Sequence, residues 1–115
     1  MSVIIYHNPR CSKSRQTLAL LRDKGLEPEV IEYMKQPPSP ETLRSLLDRL
    51  GMTARELVRR NEEVYRELAL EEKGDRELVD AMCREPRLIQ RPIVVHGNQA
   101  RLGRPPEAVL EILDL

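Results

Sequence analysis

Residues 3–25 have the sequence VIIYHNPRCSKSRQTLALLRDKG, in which an apolar run, a polar turn and a helical pattern follow one another. The apolar run, residues 3–6, lacks polar–apolar alternation and predicts a buried strand. A helix is predicted over residues 11–24, and Gly25 is typical of the position just beyond a helix end. The sequence therefore predicts Cys11 at the junction between a strand and the N-terminus of a helix.

Cys11 is predicted at a position that favours an anion. The first turn of a helix has unpaired N–H groups and the positive end of the helix dipole. Both stabilise a thiolate, so we expect the pKa of Cys11 to fall below the usual value of about 8.5. Arg10, Lys13 and Arg15 add positive charge nearby, and the same geometry suits an incoming oxyanion. The segment predicts a cysteine nucleophile in an anion-binding cradle, with Arg15 as a candidate substrate ligand.

The composition limits the class of protein. The chain has 115 residues with 19 basic and 19 acidic side chains, and its formal net charge is zero. One domain over residues 1–115 is expected from this length. Non-specific nucleic-acid binding requires a basic excess, which is missing. Phenylalanine and tryptophan, which stack on single-stranded bases, are absent. We therefore expect no nucleic-acid partner.

The sequence predicts neither a membrane segment nor a secretion signal. No stretch approaches the roughly 20 apolar residues that span a bilayer, and polar residues begin at His7, too early for a signal peptide. Two cysteines are too few for a disulfide scaffold. No Cys and His cluster has the spacing of metal ligands, so no metal site is predicted. We expect a cytoplasmic monomer without membrane contact.

The remaining chain predicts more strands around a helical segment. Residues 29–33 alternate polar and apolar side chains and predict a strand parallel to the first, joined to it by the helix. Residues 43–85 predict several short helices. Residues 92–95 and 100–102 predict a β-hairpin, and a last helix is predicted to begin at Pro105-Pro106. The element order is βα, β, helical insert, ββα.

Capping signals place the ends of the helices in the insert. Ser39 precedes a proline and is a predicted N-cap, and Gly51 is a predicted stop. Thr53 and Glu56 fit a capping box. Asp75 is predicted to cap the last helix of the insert.

Cys11 has two neighbours that are candidates for a catalytic role. His7 is a candidate to orient or deprotonate Cys11, although a lone histidine is as often structural. Ser14 is a candidate hydrogen-bond donor to the thiolate, or an ordinary first-turn serine. Because Ser14 stands where a dithiol motif has its second cysteine, any redox cycle needs a thiol from elsewhere, such as glutathione or another protein. Cys83 is assigned to packing, and the same inert role is the alternative for Cys11.

Of three arginines that are distant from Cys11 in the sequence, two are distinguished by a proline that follows them. Arg91 precedes Pro92 at the start of an apolar strand, where an X-Pro bond is a candidate cis peptide that often borders a site. Arg104 precedes two further prolines at the end of the predicted hairpin. Arg59 has no distinguishing neighbour, so from composition alone all three are equally consistent with solvated surface residues.

Three segments of the chain resemble a known family. Residues 7–17, HNPRCSKSRQT, with residues 91–95, RPIVV, and residues 101–105, RLGRP, resemble the active-site segments of the glutaredoxin-coupled arsenate reductases. Tyr33 also fits the resemblance, which is collinear over residues 3–113. Within the family, the chain looks most similar to a shorter, arsenate-reductase-like branch.

The resemblance implies a thioredoxin-like α/β fold. Its four-stranded mixed sheet would have flanking helices and a helical insertion over about residues 40–86. The resemblance also implies that Cys11 is the nucleophile that attacks arsenate. It implies oxyanion binding by Arg59, Arg91 and Arg104, and Arg60 is the alternative to Arg59. It matches His7 and Ser14 to positions that lower the thiol pKa. Pro92 matches a structural cis-proline.

The implied function is the reduction of arsenate to arsenite, with glutathione as co-substrate, glutaredoxin as partner and no bound cofactor. A Cys11–arsenic adduct would be attacked by glutathione, and glutaredoxin would resolve the mixed disulfide that remains. Two alternatives stay open. One is a glutaredoxin-like thiol or mixed-disulfide oxidoreductase with another substrate, and the other is a non-enzymatic transcriptional regulator with a thioredoxin fold.

Overall fold

The computed structural model describes residues 2–113. Its internal contacts separate two compact units, Met1–Gln36 with Arg91–Leu115, and Pro37–Gln90. The second unit interrupts the first in sequence and corresponds to the helical insertion that was predicted over about residues 40–86. The expected single domain for the whole chain stays a prediction.

The first unit contains a mixed four-stranded sheet. Its strands are β1 (Val3–His7), β2 (Glu29–Glu32), β3 (Ile93–His96) and β4 (Gln99–Leu102), in the spatial order β2-β1-β3-β4. β1 pairs with β2 in parallel and with β3 antiparallel, and β3 pairs with β4 antiparallel. The predicted βαβ unit, hairpin and mixed sheet are confirmed.

Helix α1 (Ser12–Asp23) connects β1 to β2. It ends ahead of Gly25, whose φ of 82° lies in the left-handed region that glycine adopts without steric cost. Its inner face packs Leu18 and Leu21 into a core cluster with Ile5 of β1, and burial of a leucine contributes roughly 1.5–3 kcal/mol. This packing holds the N-terminus of α1 at the carboxyl end of β1, where Cys11 lies.

The chain after β4 differs from the prediction of an α-helix. Pro106–Ile112 is a 3-10 helix, and it begins with an Ala108 N–H that donates to the Pro105 carbonyl at 3.0 Å. Val109 and Ile112, three residues apart, are both buried in the core of the first unit. Because a 3-10 helix repeats every three residues, it aligns these two side chains better than an α-helix would.

The second unit is helical. It contains α2 (Pro40–Leu50), α3 (Ala54–Leu57), α4 (Glu63–Glu67) and α5 (Asp75–Arg84), with 3-10 turns at Leu70–Glu72 and Pro86–Leu88. Among residues 2–113, no helix combines the length and the apolar character needed to cross a membrane.

The capping predictions in this unit are confirmed, with one exception. The Ser39 hydroxyl accepts the Thr42 N–H at 3.2 Å, and Thr53 and Glu56 form the capping box. Asp75, however, is the first helical residue of α5 and not its cap. Gly74 is the N-cap, and its N–H donates to the Glu77 carboxylate at 3.1 Å. A carboxylate three residues into the helix therefore supplies the cap that was expected from Asp75.

Candidate active site

Cys11 is the N-cap residue of α1 and has an extended backbone, with φ −94° and ψ 122°. A tight turn holds it there, because its N–H donates to the Asn8 carbonyl at 3.0 Å. Its own carbonyl accepts the N–H of Arg15 at 3.0 Å, which begins the helical hydrogen bonding. The side chain is half-buried, and the thiol is free. The predicted position of the cysteine at the start of the helix is confirmed.

The surroundings of the sulfur favour the thiolate. Burial raises the pKa of the Cys11 thiol, but three hydrogen-bond donors outweigh it and place the pKa below its ordinary value. These donors are the N–H of Ser14, the guanidinium of Arg91 and the N–H of Lys13, and Arg91 adds a direct charge attraction. The N–H donors belong to the first turn of α1, as expected for a helix N-terminus.

Arg91 and Arg104 lie in the same part of the first unit. The Arg104 Nε donates to the Arg91 carbonyl at 2.9 Å, a bond that leaves both terminal nitrogens of Arg104 outside it. The Arg91–Pro92 peptide is cis as predicted, and Arg104–Pro105 is a second cis peptide that was not predicted. Arg91 thus contacts both Cys11 and Arg104, while Arg104 is linked to Cys11 through Arg91.

Ser14 acts on the sulfur through its backbone and not through its hydroxyl. The hydroxyl oxygen accepts the Asn8 N–H at 3.0 Å and is joined to the His7 Nδ1 by a 2.6 Å hydrogen bond. Ser14 is fully buried, with an exposed fraction of 0%. The hydroxyl, which was a candidate donor to the thiolate, therefore holds the turn between β1 and α1 in place.

His7 is buried and bonded to Ser14, one step removed from Cys11. Burial lowers its pKa, Arg22 and Arg15 lower it further, and Glu32 opposes them. The ring is therefore neutral at pH 7. This geometry supports the structural interpretation of His7, while its direct action on the thiol stays a prediction.

Arg15 and Arg59 differ from the other candidate substrate ligands. Arg15 is exposed, and its Nη1 donates to the Pro9 carbonyl at 2.9 Å, so it supports the turn before Cys11. Arg59 belongs to the second unit, where its N–H donates to the Leu88 carbonyl at 2.6 Å. Its Nη1 is buried and finds no hydrogen-bond acceptor within residues 2–113. Arg60 beside it is exposed.

The charged side chains at this site are suited to an anion. Within the described chain, residues 2–113, no three His, Cys, Asp or Glu side chains gather where they could hold a metal ion. Arg91 and Arg104 instead bring two guanidinium groups to the part of the unit that contains Cys11. Guanidinium groups and helix N–H donors both bind tetrahedral oxyanions.

Asn8 and Tyr33 belong to the site but were not among the predicted site residues. Asn8 follows β1 and Tyr33 follows β2, and the two strands are parallel with His7 opposite Glu32. Because the carboxyl ends of neighbouring parallel strands meet at one edge, residues directly after them come together. The predicted parallel pairing of the two strands was therefore the signal for both residues, although the strand predicted over residues 29–33 included Tyr33 and β2 ends at Glu32.

Gly103 packs closely against Pro92 and Thr17, and we expect Gly103→Ala to destabilise the protein by about 1–3 kcal/mol. Its N–H donates to the Pro92 carbonyl at 2.9 Å. An added Cβ would lie 2.8 Å from the Pro92 Cγ and closer still to the Thr17 hydroxyl. Urea unfolding measures the effect. Gly74→Ala is the comparison variant: a Cβ there meets nothing closer than 3.5 Å, so its loss comes only from alanine being a poorer N-cap than glycine, an effect of up to about 1 kcal/mol. Equal losses in the two variants would contradict the steric argument.

The sheet order, the parallel β1–α1–β2 unit and the cysteine at the start of α1 define a thioredoxin-like protein with a single-cysteine site. The model of the ArsC family matches residues 6–112. The chain therefore belongs to the ArsC family.

Several proteins resemble the chain over its whole length. An uncharacterised protein of Escherichia coli K12 is 54% identical over 114 residues, which cover 96% of both chains. An arsenate reductase of Haemophilus influenzae is 47% identical over 116 residues, which cover 98% of this chain and 100% of the relative. The solved structure of an arsenate reductase from Vibrio cholerae is 54% identical, with a TM-score of 0.95 and 98% of both chains covered.

Proposed function

We propose that this protein reduces arsenate to arsenite and that Cys11 is the nucleophile that attacks arsenic. The observation that carries the proposal is the environment of the sulfur, which receives two helix N–H groups and the guanidinium of Arg91. The lowered pKa increases the fraction of thiolate at a given pH, and the thiolate is the nucleophilic form of cysteine. The relatives from Haemophilus influenzae and Vibrio cholerae, which match the whole chain, bear the name arsenate reductase.

Arg91 and Arg104 are the proposed oxyanion ligands in the first unit. Each guanidinium offers a fork of N–H donors that matches two oxygens of a tetrahedral anion. Arg59, which belongs to the second unit and pairs with Glu62 at 3.8 Å, is proposed as a third ligand because the family resemblance implies it. Arg15 is proposed as a weaker, exposed contributor. Two or three cations offset the charge of arsenate, and the N–H groups of α1 donate to a further oxygen.

The first proposed step forms a bond between Cys11 and arsenic. The Cys11 thiolate attacks arsenic in H₂AsO₄⁻, the S–As bond forms, and one As–O bond breaks to release hydroxide. Arsenic remains As(V) in the adduct. The lowered pKa of Cys11 supports this step, because only the thiolate is nucleophilic.

The second proposed step reduces arsenic with an external thiol, for which we propose glutathione. The glutathione thiolate attacks the Cys11 sulfur, the S–S bond forms, and the electron pair of the S–As bond stays on arsenic as arsenite. A Cys11–glutathione disulfide remains, and a glutaredoxin thiolate takes up the glutathione and frees Cys11. Ser14 supports this cycle because no second thiol lies one helical turn from Cys11. Cys83 is half-buried, and burial together with Asp80 raises its thiol pKa.

A coupled assay tests the proposed function. Purified protein, glutathione, glutaredoxin, glutathione reductase and NADPH are mixed, and NADPH consumption is followed after arsenate is added. We expect arsenate-dependent consumption that stops when glutaredoxin is left out. Replacing glutathione and glutaredoxin by thioredoxin and its reductase tests the electron donor separately.

The outcomes of the assay distinguish the remaining alternatives. Turnover with thioredoxin but not with glutathione and glutaredoxin would support the proposed arsenate reduction and contradict the proposed glutathione cycle. Reduction of a small glutathione mixed disulfide without any reduction of arsenate would favour the glutaredoxin-like alternative. No turnover with either substrate would overturn the proposed enzyme.

A further inference from the structure

The hydroxyl of Tyr33 is a buried donor that has no acceptor in the part of the chain that the structure describes. The exposed fraction of the residue is 1%, and the hydroxyl makes no hydrogen bond to any group within residues 2–113. The Asn8 side chain is close enough to lower the pKa of the phenol but does not reach hydrogen-bond geometry. A buried polar group left unpaired is unfavourable for folding, so its presence next to a candidate site needs a reason.

The surroundings of Tyr33 belong to the site of Cys11. The charges that act on the phenol are the Arg91 guanidinium, the Cys11 thiolate and the Arg104 guanidinium. Burial raises the pKa of Tyr33 to about 12, and the cations only partly offset this effect. The hydroxyl therefore keeps its proton at neutral pH and acts as a donor.

We propose that Tyr33 is a substrate-contacting residue, whose buried hydroxyl donates a hydrogen bond to an oxygen of the oxyanion held by Cys11, Arg91 and Arg104. This inference rests on the proposed function. An anion on Cys11 and the two arginines would supply the acceptor that the phenol lacks among residues 2–113. A neutral donor also adds no charge, which suits a site whose cations already balance the anion.

The contact requires one neighbouring side chain to move. Almost none of the Tyr33 hydroxyl oxygen is accessible to solvent, so a ligand oxygen reaches it only when a covering group turns aside. Arg104 is exposed and Arg91 is half-buried. Both have long side chains that a bound anion would attract, and their movement toward the anion would bring an anion oxygen and the phenol together.

The test compares Tyr33→Phe with the wild type in two measurements. The first is protection of Cys11 from alkylation by iodoacetamide at increasing arsenate, read on the Cys11 peptide by mass spectrometry. We expect the arsenate concentration for half-protection to rise about tenfold, the effect of losing one hydrogen bond to a charged group. The second is thermal unfolding without arsenate, where we expect an unchanged or higher Tm because the variant buries no unpaired hydroxyl.

Tyr65→Phe is the matched control. This second buried tyrosine lies in the other unit, and its hydroxyl donates to the Glu71 carboxylate and accepts the Arg55 Nη1. Removing a satisfied hydroxyl leaves its partners unpaired, so we expect a lower Tm and unchanged half-protection. The two variants therefore distinguish a hydroxyl that binds the substrate from one that stabilises the fold.

Two results would overturn the proposal for Tyr33. One is unchanged half-protection in Tyr33→Phe while arsenate protects the wild type. The other is weaker protection together with a Tm loss equal to that of Tyr65→Phe, which would make Tyr33 a structural residue. Failure of arsenate to protect even wild-type Cys11 is a different pattern, and it would overturn the proposed oxyanion site as a whole.

Discussion

Cys11→Ser is expected to lower arsenate-dependent NADPH consumption by roughly three orders of magnitude or more. Losses of this size follow when a covalent nucleophile is removed, since the remaining groups bind substrate but cannot form the adduct. A serine hydroxyl at the same N-cap position stays protonated at pH 7, because the donors that lower the Cys11 pKa cannot ionise an alcohol. The coupled assay with glutathione and glutaredoxin measures the rate.

The natural control for this variant is Cys83→Ser. Cys83 lies in the second unit, and burial raises the pKa of its thiol, so it is a poor nucleophile. We expect this variant to keep the wild-type rate. Mass spectrometry after incubation with oxidised glutathione should find the mixed disulfide on Cys11. Equal rates for Cys11→Ser and the wild type would contradict the assignment of Cys11 as the nucleophile. A lower rate in Cys83→Ser would indicate that Cys83 also takes part in the reaction.

Features that depend on neighbouring residues were predictable from the sequence. The Ser39 cap and the capping box of Thr53 and Glu56 follow from side chains that reach backbone N–H groups two or three positions away. The position of Cys11 was predictable for the same reason, because a strand, a turn and a helix follow directly in the chain. Local chemistry decides these elements before any long-range packing.

Features that depend on packing were harder to predict. The last helix has apolar residues at spacings of three and four, and only the core decides that Val109 and Ile112 align in a 3-10 helix. Ser14 offers both an N–H and a hydroxyl, and the sequence does not say which one faces the sulfur. The answer depends on His7 and Asn8, which occupy the hydroxyl.

Most of the candidate site is formed by contacts between segments that are distant from one another in the sequence. Arg91 and Arg104 are ordinary arginines in the sequence, and their importance came from a family resemblance. The structure gives a physical reason for the importance of Arg91. β3 runs antiparallel to β1, so Arg91, which lies just before β3, reaches the sulfur at the carboxyl end of β1. Tyr33 shows the complementary case, where the parallel register contained a signal that the strand prediction did not use.

Arg91→Ala is expected to raise the pKa of Cys11 and to weaken oxyanion binding at the same time. Arg91 both hydrogen bonds to the sulfur and attracts its negative charge. Without Arg91, fewer donors counteract the burial that disfavours ionisation of Cys11, so the thiolate forms at higher pH. The pH profile of arsenate reduction should shift toward higher pH, because less thiolate is present on the acidic side. Ultraviolet absorbance of the thiolate, followed across a pH titration, measures the pKa.

The affinity for arsenate should fall by about tenfold or more in the same variant. A guanidinium–oxyanion hydrogen bond contributes roughly 1.5–3 kcal/mol, which corresponds to a factor of ten or greater in the dissociation constant. Arg91→Lys separates the two effects. Lysine keeps the positive charge, so the pKa of Cys11 should rise less than in Arg91→Ala, but it lacks the planar fork that engages two oxygens.

Arg101→Ala is the control for the change of net charge. Arg101 lies on β4 in the same unit, and its Nε pairs with Glu111 at 3.2 Å. It is not among the groups that lower the pKa of Cys11. We expect the Cys11 pKa of Arg101→Ala, and its arsenate concentration for half-protection of Cys11, to match those of the wild type. If Arg91→Ala also titrated like the wild type, the lowered pKa would come from the N–H groups of Ser14 and Lys13 alone, and the arginine would act only on the substrate.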